Sequence, residues 1–449
     1  MASASPPSAE PRRPSLGFLG HVNAVFLTYV TNAGLAFGVS VLLARALGPH
    51  DRGVYGIFML TASISQALLS LGFSVSAVYY LSKNTQSLTR IVANGLQMTA
   101  LSAVLSGLLV LAAWPVLGDT FADKNVPYWA FAFVVPLFVN YNMLVAIFQG
   151  SSRFLSMNAL IIVQPLVQAV LLTVGVLIAD VDTTAAVMFW SVAAVISSVI
   201  GVTLLGRAAF PAREVLRLDK PSLGAQARFG MLGQAGNLMQ LLNYRLDQYV
   251  VLLLVNATGV GIYLVGVQLS QSIWFLANAV AAVLIPRLTA AHESEAARMT
   301  PLMCRNTLFV SALGALAIAV IAPWVLTPIF GEDFAGSLKP LLWLLPGTVA
   351  LSGSKILASY IFSQGRPGLN SLITIGSLAV TVVADLALIP PFGVTGAAVA
   401  STLAYAAHFV LALLVYRRLS GGSISEAVFV RGDDLRRYVD VVRQRLSTV

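Results

Sequence analysis

Four charged side chains lie inside long apolar stretches of the 449-residue sequence: Arg245, Asp247, Lys355 and Asp385. An ionisable residue within a membrane-spanning helix is costly, and such residues usually mark the path of a substrate, ion or proton. An arginine can hold an anion through two parallel hydrogen bonds, whereas a lysine acts as a point charge. A carboxylate can hold a proton or a cation. The four residues therefore predict a transport site.

The segment around Arg245 extends this site. Gln240, Asn243 and Asp247 follow at spacings of three and four, which places them on one helix face. Arg245 lies about 200° around the helix from Asp247, since each residue turns it by roughly 100°. We expect Arg245, Gln240 and Asn243 to face a central cavity and Asp247 to pack within its own group of helices. Structural pairing of both charges with neighbouring helices is the alternative.

Lys355 and Asp385 lie at different depths and are not expected to pair. From the turn near Arg366, Lys355 is about 11 residues or ~16 Å deep, and Asp385 is about 19 residues or ~28 Å away. Lys355 is a second substrate-binding candidate, or an anchor that reaches the interface. Asp247 and Asp385 are candidates for ion coupling or for structural charges. Asp385 precedes Pro390 by only five residues, so contact with outer water is an alternative.

The composition is that of an integral membrane protein. Apolar residues make up 57% of the chain and charged residues 10%, against roughly half and a quarter in a soluble protein. A soluble enzyme, a disordered protein and a nucleic-acid binder are therefore excluded, despite the net charge of +9. The single cysteine, Cys304, cannot form an intramolecular disulfide or a thiolate metal site. No metal and no cofactor are expected.

Twelve apolar runs are long enough to cross a bilayer as helices, and none alternates as a barrel strand does. They leave no room for a soluble domain. The runs are 18–44, 53–82, 91–117, 127–149, 155–179, 184–206, 228–255, 258–286, 302–328, 336–363, 368–390 and 394–416.

The basic residues predict the orientation, because lysine and arginine concentrate in cytoplasmic loops. With the N-terminus inside, 21 of the 27 basic residues are cytoplasmic and two lie within spans. The remaining four lie outside: Arg45, Arg52, Lys124 and Lys339. We therefore expect a multi-pass protein of the cell membrane with both termini in the cytoplasm.

The chain divides into two halves of six spans each. The predicted parts are a disordered tail (1–17), a first lobe (18–206), a basic linker (207–227), a second lobe (228–417) and a tail (418–449) that contains a basic amphipathic helix. A weak echo relates the lobes, because Gln149-Gly150 before Arg153 resembles Gln364-Gly365 before Arg366. An even number of spans separates these sites. The lobes are therefore related by a pseudo-twofold axis along the membrane normal, as in many transporters.

Several motifs resemble the polysaccharide-export flippases of the multidrug/oligosaccharidyl-lipid/polysaccharide (MOP) superfamily. They are Leu42-Leu43-Ala44-Arg45-Ala46-Leu47-Gly48-Pro49, Gly53-Val54-Tyr55-Gly56, Asp247 with Val260-Gly261-Ile262-Tyr263, Ile285-Pro286, and the stretch from Leu388 to Ser401. The resemblance covers about 18–417. One departure is Asp385, where the family pattern leads us to expect an uncharged polar residue such as asparagine.

The resemblance implies an exporter that flips a polyprenyl-pyrophosphate-linked oligosaccharide from the inner to the outer leaflet. Alternating access, with coupling to the membrane potential, H⁺ or Na⁺, would drive it. Partners would be the lipid-linked sugar, the bilayer and the polymerase or glycosyltransferases of the pathway, and no nucleic acid. The alternatives are a multidrug or cation antiporter of the same superfamily and a lipid II-type precursor flippase. We expect no enzyme, since P-loop, zinc-protease and nucleophile-elbow motifs are absent from the sequence.

The predicted topology can be tested with single cysteines at Ser222 and Asp180 in a Cys304→Ala background. An impermeant thiol reagent applied to intact cells should label position 180 and spare position 222, because the basic excess places 222 in the cytoplasm. Labelling at 222 but not at 180 would reverse the orientation.

Overall fold

The structure is a computed structural model that describes residues 18–122, 128–210, 217 and 219–430, and within these ranges all regular elements are helical. The predicted N-terminal tail, the predicted amphipathic helix near the C-terminus and residues 211–216 and 218 of the linker lie outside the described residues. The helices are α1 (Phe18–Leu69), α2 (Phe73–Ser82), α3 (Leu88–Ala122), α4 (Phe131–Gly150), α5 (Phe154–Ile178), α6 (Thr183–Leu205), α7 (Lys220–Leu254), α8 (Ala257–Gln271), α9 (Trp274–Ala290), α10 (Glu293–Phe330), α11 (Leu338–Ser363), α12 (Pro367–Ser420) and α13 (Ile424–Val428). Short 3₁₀ turns occupy Tyr128–Ala130, Arg207–Ala209 and Glu332–Ser337.

The chain is a multi-span membrane protein. Eight of the described helices are long and apolar enough to cross a bilayer, and a ninth span results if α8 and α9, which meet at a bend of 45°, are counted as one. The polar helix α7 is 35 residues long but is not among them, since it carries Arg245 and Asp247. The all-helical membrane fold expected from the composition is confirmed.

Two of the longest helices break at a glycine. The α1 helix is interrupted at Gly48, whose φ is 66°, and α12 at Gly393, whose φ is 56°. Both values lie in the left-handed region, which glycine adopts without steric strain. The breaks coincide with the turns that the sequence predicts between the first two and the last two apolar runs. Gly48 is followed by Pro49, which cannot continue the hydrogen-bond pattern of the preceding turn.

The buried core is divided among several clusters. Leu43, Phe58 and Trp190 belong to a cluster formed almost wholly by α1 and α4–α6. Tyr360 and Tyr416 belong to another that lies within α9–α13. Further clusters join the two ends of the chain, with Ala44 against Phe330 in one, and Ile57 against Tyr263 in the other.

At the predicted outer end, α1 packs closely on α8. A Cβ atom added at Gly53 would lie 1.8 Å from the carbonyl oxygen of Ala257, and one at Gly261 would lie 1.9 Å from that of Pro49. The contact of α1 at this end also includes α10, since the Nε of Arg45 donates to the carbonyl oxygen of Ile329 at 2.7 Å. We call this contact the outer seam.

At the opposite end, α2 meets α7. The backbones of Gly72 and Gly230 touch, and the rings of Tyr79 and Phe229 stack at 4.3 Å. On α1, Gly34 and Gly38 have no protein neighbour on one side, since a Cβ atom at either would meet nothing within 4 Å.

Three predicted boundaries differ from the observed helices. The α7 helix begins at Lys220, inside the predicted linker, because the Asp219 carboxylate accepts a hydrogen bond from the backbone N–H of Ser222 at 3.2 Å and caps the helix. The predicted second span is interrupted after Leu69, where Leu71 and Gly72 have positive φ. The predicted eighth span is bent between Gln271 and Trp274.

The outer seam predicts a sharp difference between two glycines. Gly261→Ala should destabilise the protein by about 1–3 kcal/mol, because its methyl group overlaps a backbone carbonyl that cannot move independently. Gly38→Ala should leave stability unchanged or slightly raised, because the added methyl group meets open space. Thermal unfolding of both variants in detergent measures the difference, and equal midpoints would contradict the close packing of α1 on α8.

Candidate substrate and ion site

Both intramembrane cations contact the bend between α8 and α9. Arg245, on α7, is half-buried, and its guanidinium donates to Oε1 of Gln271, the last residue of α8, at 3.5 Å. Lys355, on α11, is also half-buried, and its Nζ lies 5.0 Å from the ring centre of Trp274, the first residue of α9. The bend therefore brings one polar and one aromatic partner to the two cations.

Three aromatic rings support Lys355. Its Nζ also lies 5.8 Å from the ring of Tyr244, and the rings of Tyr244 and Trp274 are 5.1 Å apart. Tyr405 completes the group at 5.7 Å from Trp274. The indole N–H of Trp274 donates to the carbonyl oxygen of Thr348 at 3.1 Å, which fixes the ring. A cation over an aromatic face gains about 0.5–2 kcal/mol, so this group holds the ammonium in place without neutralising it.

The two cations have neutral partners only. Among the described residues, neither Arg245 nor Lys355 lies within salt-bridge distance of a carboxylate. One turn before Tyr244, the exposed Gln240 donates to the Tyr244 hydroxyl at 3.0 Å. This arrangement leaves positive charge available to an anion, because no protein carboxylate is bound to either cation.

Asp247 lies in the packing of α7, α8 and α12 and makes no hydrogen bond to Arg245, which is still near enough for the two charges to interact. It is 3% exposed and accepts hydrogen bonds from the Tyr263 hydroxyl at 2.5 Å and from the Ser401 hydroxyl at 2.9 Å. The backbone N–H of Gln248 adds a third bond at 2.8 Å. A carboxylate with three donors is well satisfied and is held in one orientation.

Asp385 contrasts with Asp247. It is fully buried on α12, and neither of its carboxylate oxygens has a hydrogen-bond partner in the described structure. It lies near enough to Asp247 for their charges to interact. It therefore does not reach outer water, and it does not pair with Lys355. A buried carboxyl group with no donor is most stable when it binds a proton or a cation.

Asn243 lies beside this pair of acids. The Thr381 hydroxyl donates to its Oδ1 at 3.1 Å, one helical turn from Asp385, and its Nδ2 has no partner. Its side chain is 3% exposed, so Asn243 is packed against α12 and does not face an open cavity in this conformation. The helix α7 thus carries two functional faces, one with Arg245 and one with Asn243 and Asp247.

Sequence reasoning missed the residues that hold the cations. Gln271, Trp274 and Tyr405 were not among the predicted site residues, although Gln271 and Ser272 interrupt an apolar run just before Trp274. That interruption is the local signal of the bend. Nothing in the spacing of Tyr405 places it beside Trp274, since the two rings meet only through the packing of α9 on α11 and α12.

Comparison with known proteins identifies the family. The family model described as polysaccharide biosynthesis protein matches residues 21–292. The chain belongs to this family. The resemblance drawn from the motifs is thereby confirmed. No curated protein gives a significant match.

Solved structures share the fold. An inward-facing multidrug resistance transporter of the MATE family matches with a TM-score of 0.68 and 13% identity, covering 89% of this chain and 98% of that one. The lipid II flippase MurJ matches at 0.64 with 10% identity over 89% of both chains. A MOP superfamily transporter from Pyrococcus furiosus matches at 0.58 with 13% identity, over 89% and 96%. These neighbours are transporters and flippases, and the chain has their fold.

The different surroundings of the two acids predict opposite effects of neutralisation. Asp385→Asn should raise the unfolding midpoint, because it removes a buried carboxyl group that has no partner when ionised and must otherwise take up a proton or a cation on folding. Asp247→Asn should lower stability by about 1–3 kcal/mol, because three donors face its carboxylate. Thermal unfolding at neutral pH tests both variants. A lower midpoint for Asp385→Asn would mean that its carboxylate is satisfied by the protein.

Proposed function

We propose that the protein flips a polyprenyl-pyrophosphate-linked oligosaccharide from the inner to the outer leaflet by alternating access. The observation that carries the proposal is the pair of half-buried cations, Arg245 and Lys355, whose partners are neutral side chains. An anion brought to this site would gain charge-assisted hydrogen bonds without displacing a carboxylate. The family, whose members are described as polysaccharide biosynthesis proteins, supports a sugar-linked substrate.

The architecture that we propose has twelve spans in two six-helix lobes. In this scheme α1 and α12 each supply two spans across their glycine breaks, α2 continues the second span, and α8 with α9 forms one bent span. The polar helix α7 also crosses the membrane, because its charges face protein and not lipid. The lobes are then α1–α6 and α7–α12, related by a pseudo-twofold axis along the membrane normal, with both termini at the cytoplasmic face of the cell membrane.

The diphosphate is the part of the substrate that the site recognises best. The planar guanidinium of Arg245 suits bidentate contact with one phosphate, and Lys355 adds a point charge. The exposed Gln240 is positioned to bind sugar hydroxyls. Asn243 is buried against α12 in this conformation, so we do not assign it a contact with the diphosphate.

The polyprenyl chain would remain in the bilayer throughout. The outer seam closes the outer end in this conformation, and the substrate would enter from the inner leaflet when the contact between α2 and α7 opens. The product would then be available to a polymerase of the same pathway at the outer surface.

The membrane potential favours this direction of transport. Moving a dianion outward from a negative interior gains about 4.6 kcal/mol at 100 mV if both charges cross uncompensated. Asp385, with Asp247 beside it, is our candidate for coupling to H⁺ or Na⁺. Binding of either cation neutralises the unpartnered carboxyl group, and its release on the other side would reset the lobes.

A multidrug or cation antiporter is the second candidate, because of the fold shared with the MATE transporter. Such a protein needs an accessible acid for its cationic cargo. In the described spans the accessible charges, Arg245 and Lys355, are positive, and Asp247 and Asp385 are buried. A lipid II-type substrate also carries a diphosphate, and it differs from our proposed substrate in the head group.

Export assays on Arg245 variants test the proposal. Arg245→Ala should abolish polymer export while the protein still accumulates in the membrane, and Arg245→Lys should retain part of it because the charge remains. Arg228→Ala, an exposed arginine on the same helix, is the matched control and should export normally.

Two outcomes would contradict the proposal. Normal export by a stable Arg245→Ala protein would exclude the substrate role. Low abundance of Arg245→Ala that is restored by Asp247→Asn would instead make Arg245 a structural counter-charge.

A further inference from the structure

Arg52 is a buried arginine that the proposed cation site does not use. It lies on α1, four residues after the break at Gly48, and is 7% exposed. Arginine is seldom buried to this extent unless it is paired with an acid. In the described structure Arg52 has no carboxylate within salt-bridge distance, and its Nε has no hydrogen-bond partner.

The hydrogen bonds of Arg52 depend on the outer seam. Its guanidinium donates to the Ser40 hydroxyl at 2.6 Å, and Ser40 in turn donates to Oε1 of Gln268. Arg52 and Ser40 lie on α1, whereas Gln268 lies on α8. Separation of α1 from α8 would therefore take Gln268 away from Ser40, and the hydroxyl that holds Arg52 would lose its own anchor.

A polar stripe on α8 connects Arg52 with Arg245. Gly261, Gln268 and Gln271 repeat at spacings of seven and three, so they lie on one helix face. Gly261 and Gln268 contact α1, and Gln271 accepts the hydrogen bond from Arg245. One face of α8 therefore contacts Arg245 of α7 through Gln271 and, through Gln268, the Ser40 hydroxyl that holds Arg52 of α1.

Arg45 shows what a purely structural arginine looks like in the same seam. It is exposed, and its guanidinium donates to the carbonyl oxygens of Pro328 and Ile329 near the C-terminal end of α10. A cation at a helix C-terminus satisfies free carbonyl groups and interacts favourably with the helix dipole. This capping accounts for Arg45. Ser40 is neutral, so its hydrogen bond does not explain in the same way why an arginine is buried at position 52.

We propose that Arg52 is a second anion-binding residue, which Ser40, anchored by Gln268, occupies in this conformation and which receives the diphosphate of the substrate when the outer seam opens. This inference rests on the proposed transport of a lipid-linked diphosphate. Arg245 and Lys355 load the diphosphate from the inner side on α7 and α11. Arg52, on the opposite side of the seam, then takes it toward the outer leaflet.

The test separates loading from transfer in reconstituted full-length protein. Loading is measured as equilibrium binding of a fluorescent polyprenyl diphosphate, and transfer as its flipping in proteoliposomes. Arg52→Met should bind the probe as the wild type does but flip it at least about tenfold more slowly, since one charged hydrogen bond is lost during transfer. Arg52→Lys should restore part of the flipping rate.

Ser40→Ala and Gln268→Leu are the matched controls for a purely structural latch. They break the same chain of hydrogen bonds but keep the cation, so both should flip the probe at or above the wild-type rate. If either variant slows flipping as much as Arg52→Met does, these hydrogen bonds serve only to hold α1 against α8, and the inference fails. The thermal unfolding midpoint of each variant shows whether it is folded. If Arg52→Met is misfolded, the comparison of Arg52→Lys with Ser40→Ala decides the question.

The same assay distinguishes this inference from the proposed function. Arg245→Ala should lose binding as well as flipping. If Arg245→Ala loses both and Arg52→Met loses neither, the proposed function stands and the role of Arg52 is refuted. If Arg245→Ala binds and flips the probe normally, the proposed function itself fails.

Discussion

The absence of water in the bilayer interior is the constraint on which the site depends. A charge there must face a cavity, a partner or a neutralising ion. The helix α7 meets this constraint by separating its two charges. Asp247 turns into the protein, where two hydroxyl groups and a backbone N–H satisfy it, and Arg245 turns to the bend between α8 and α9. If the two had paired with each other, neither would be available to a substrate or an ion.

The bend between α8 and α9 follows from the same separation. The two residues that flank the bend are neutral. Gln271 contacts Arg245, and Trp274 contacts Lys355. An amide and an aromatic face stabilise a positive charge without cancelling it, whereas a carboxylate would cancel it. In the described structure the two cations are therefore bound to no carboxylate, while Asp247 and Asp385 are buried in the packing of α7 and α12.

The sequence predicted the class of protein and the charged residues, but not their surroundings. The lengths of the apolar runs predicted most of the helices, because hydropathy depends on composition alone. The breaks at Gly48 and Gly393 were expected from the turns between these runs. Helical spacing placed Arg245 and Asp247 on different faces. The partners of Lys355 could not be predicted, since Tyr244, Trp274 and Tyr405 come from three separate segments. Asn243 was assigned to the cavity because periodicity does not say which neighbour covers a face.

The central claim is that the two accessible cations recognise a diphosphate. Its most direct test is equilibrium binding to purified protein in lipid nanodiscs, comparing polyprenyl diphosphate with uncharged polyprenol. The account predicts tight binding of the diphosphate, at least about tenfold weaker binding of polyprenol, and loss of that difference in an Arg245→Ala, Lys355→Met double variant. Equal affinity of the wild-type protein for the two lipids would contradict it.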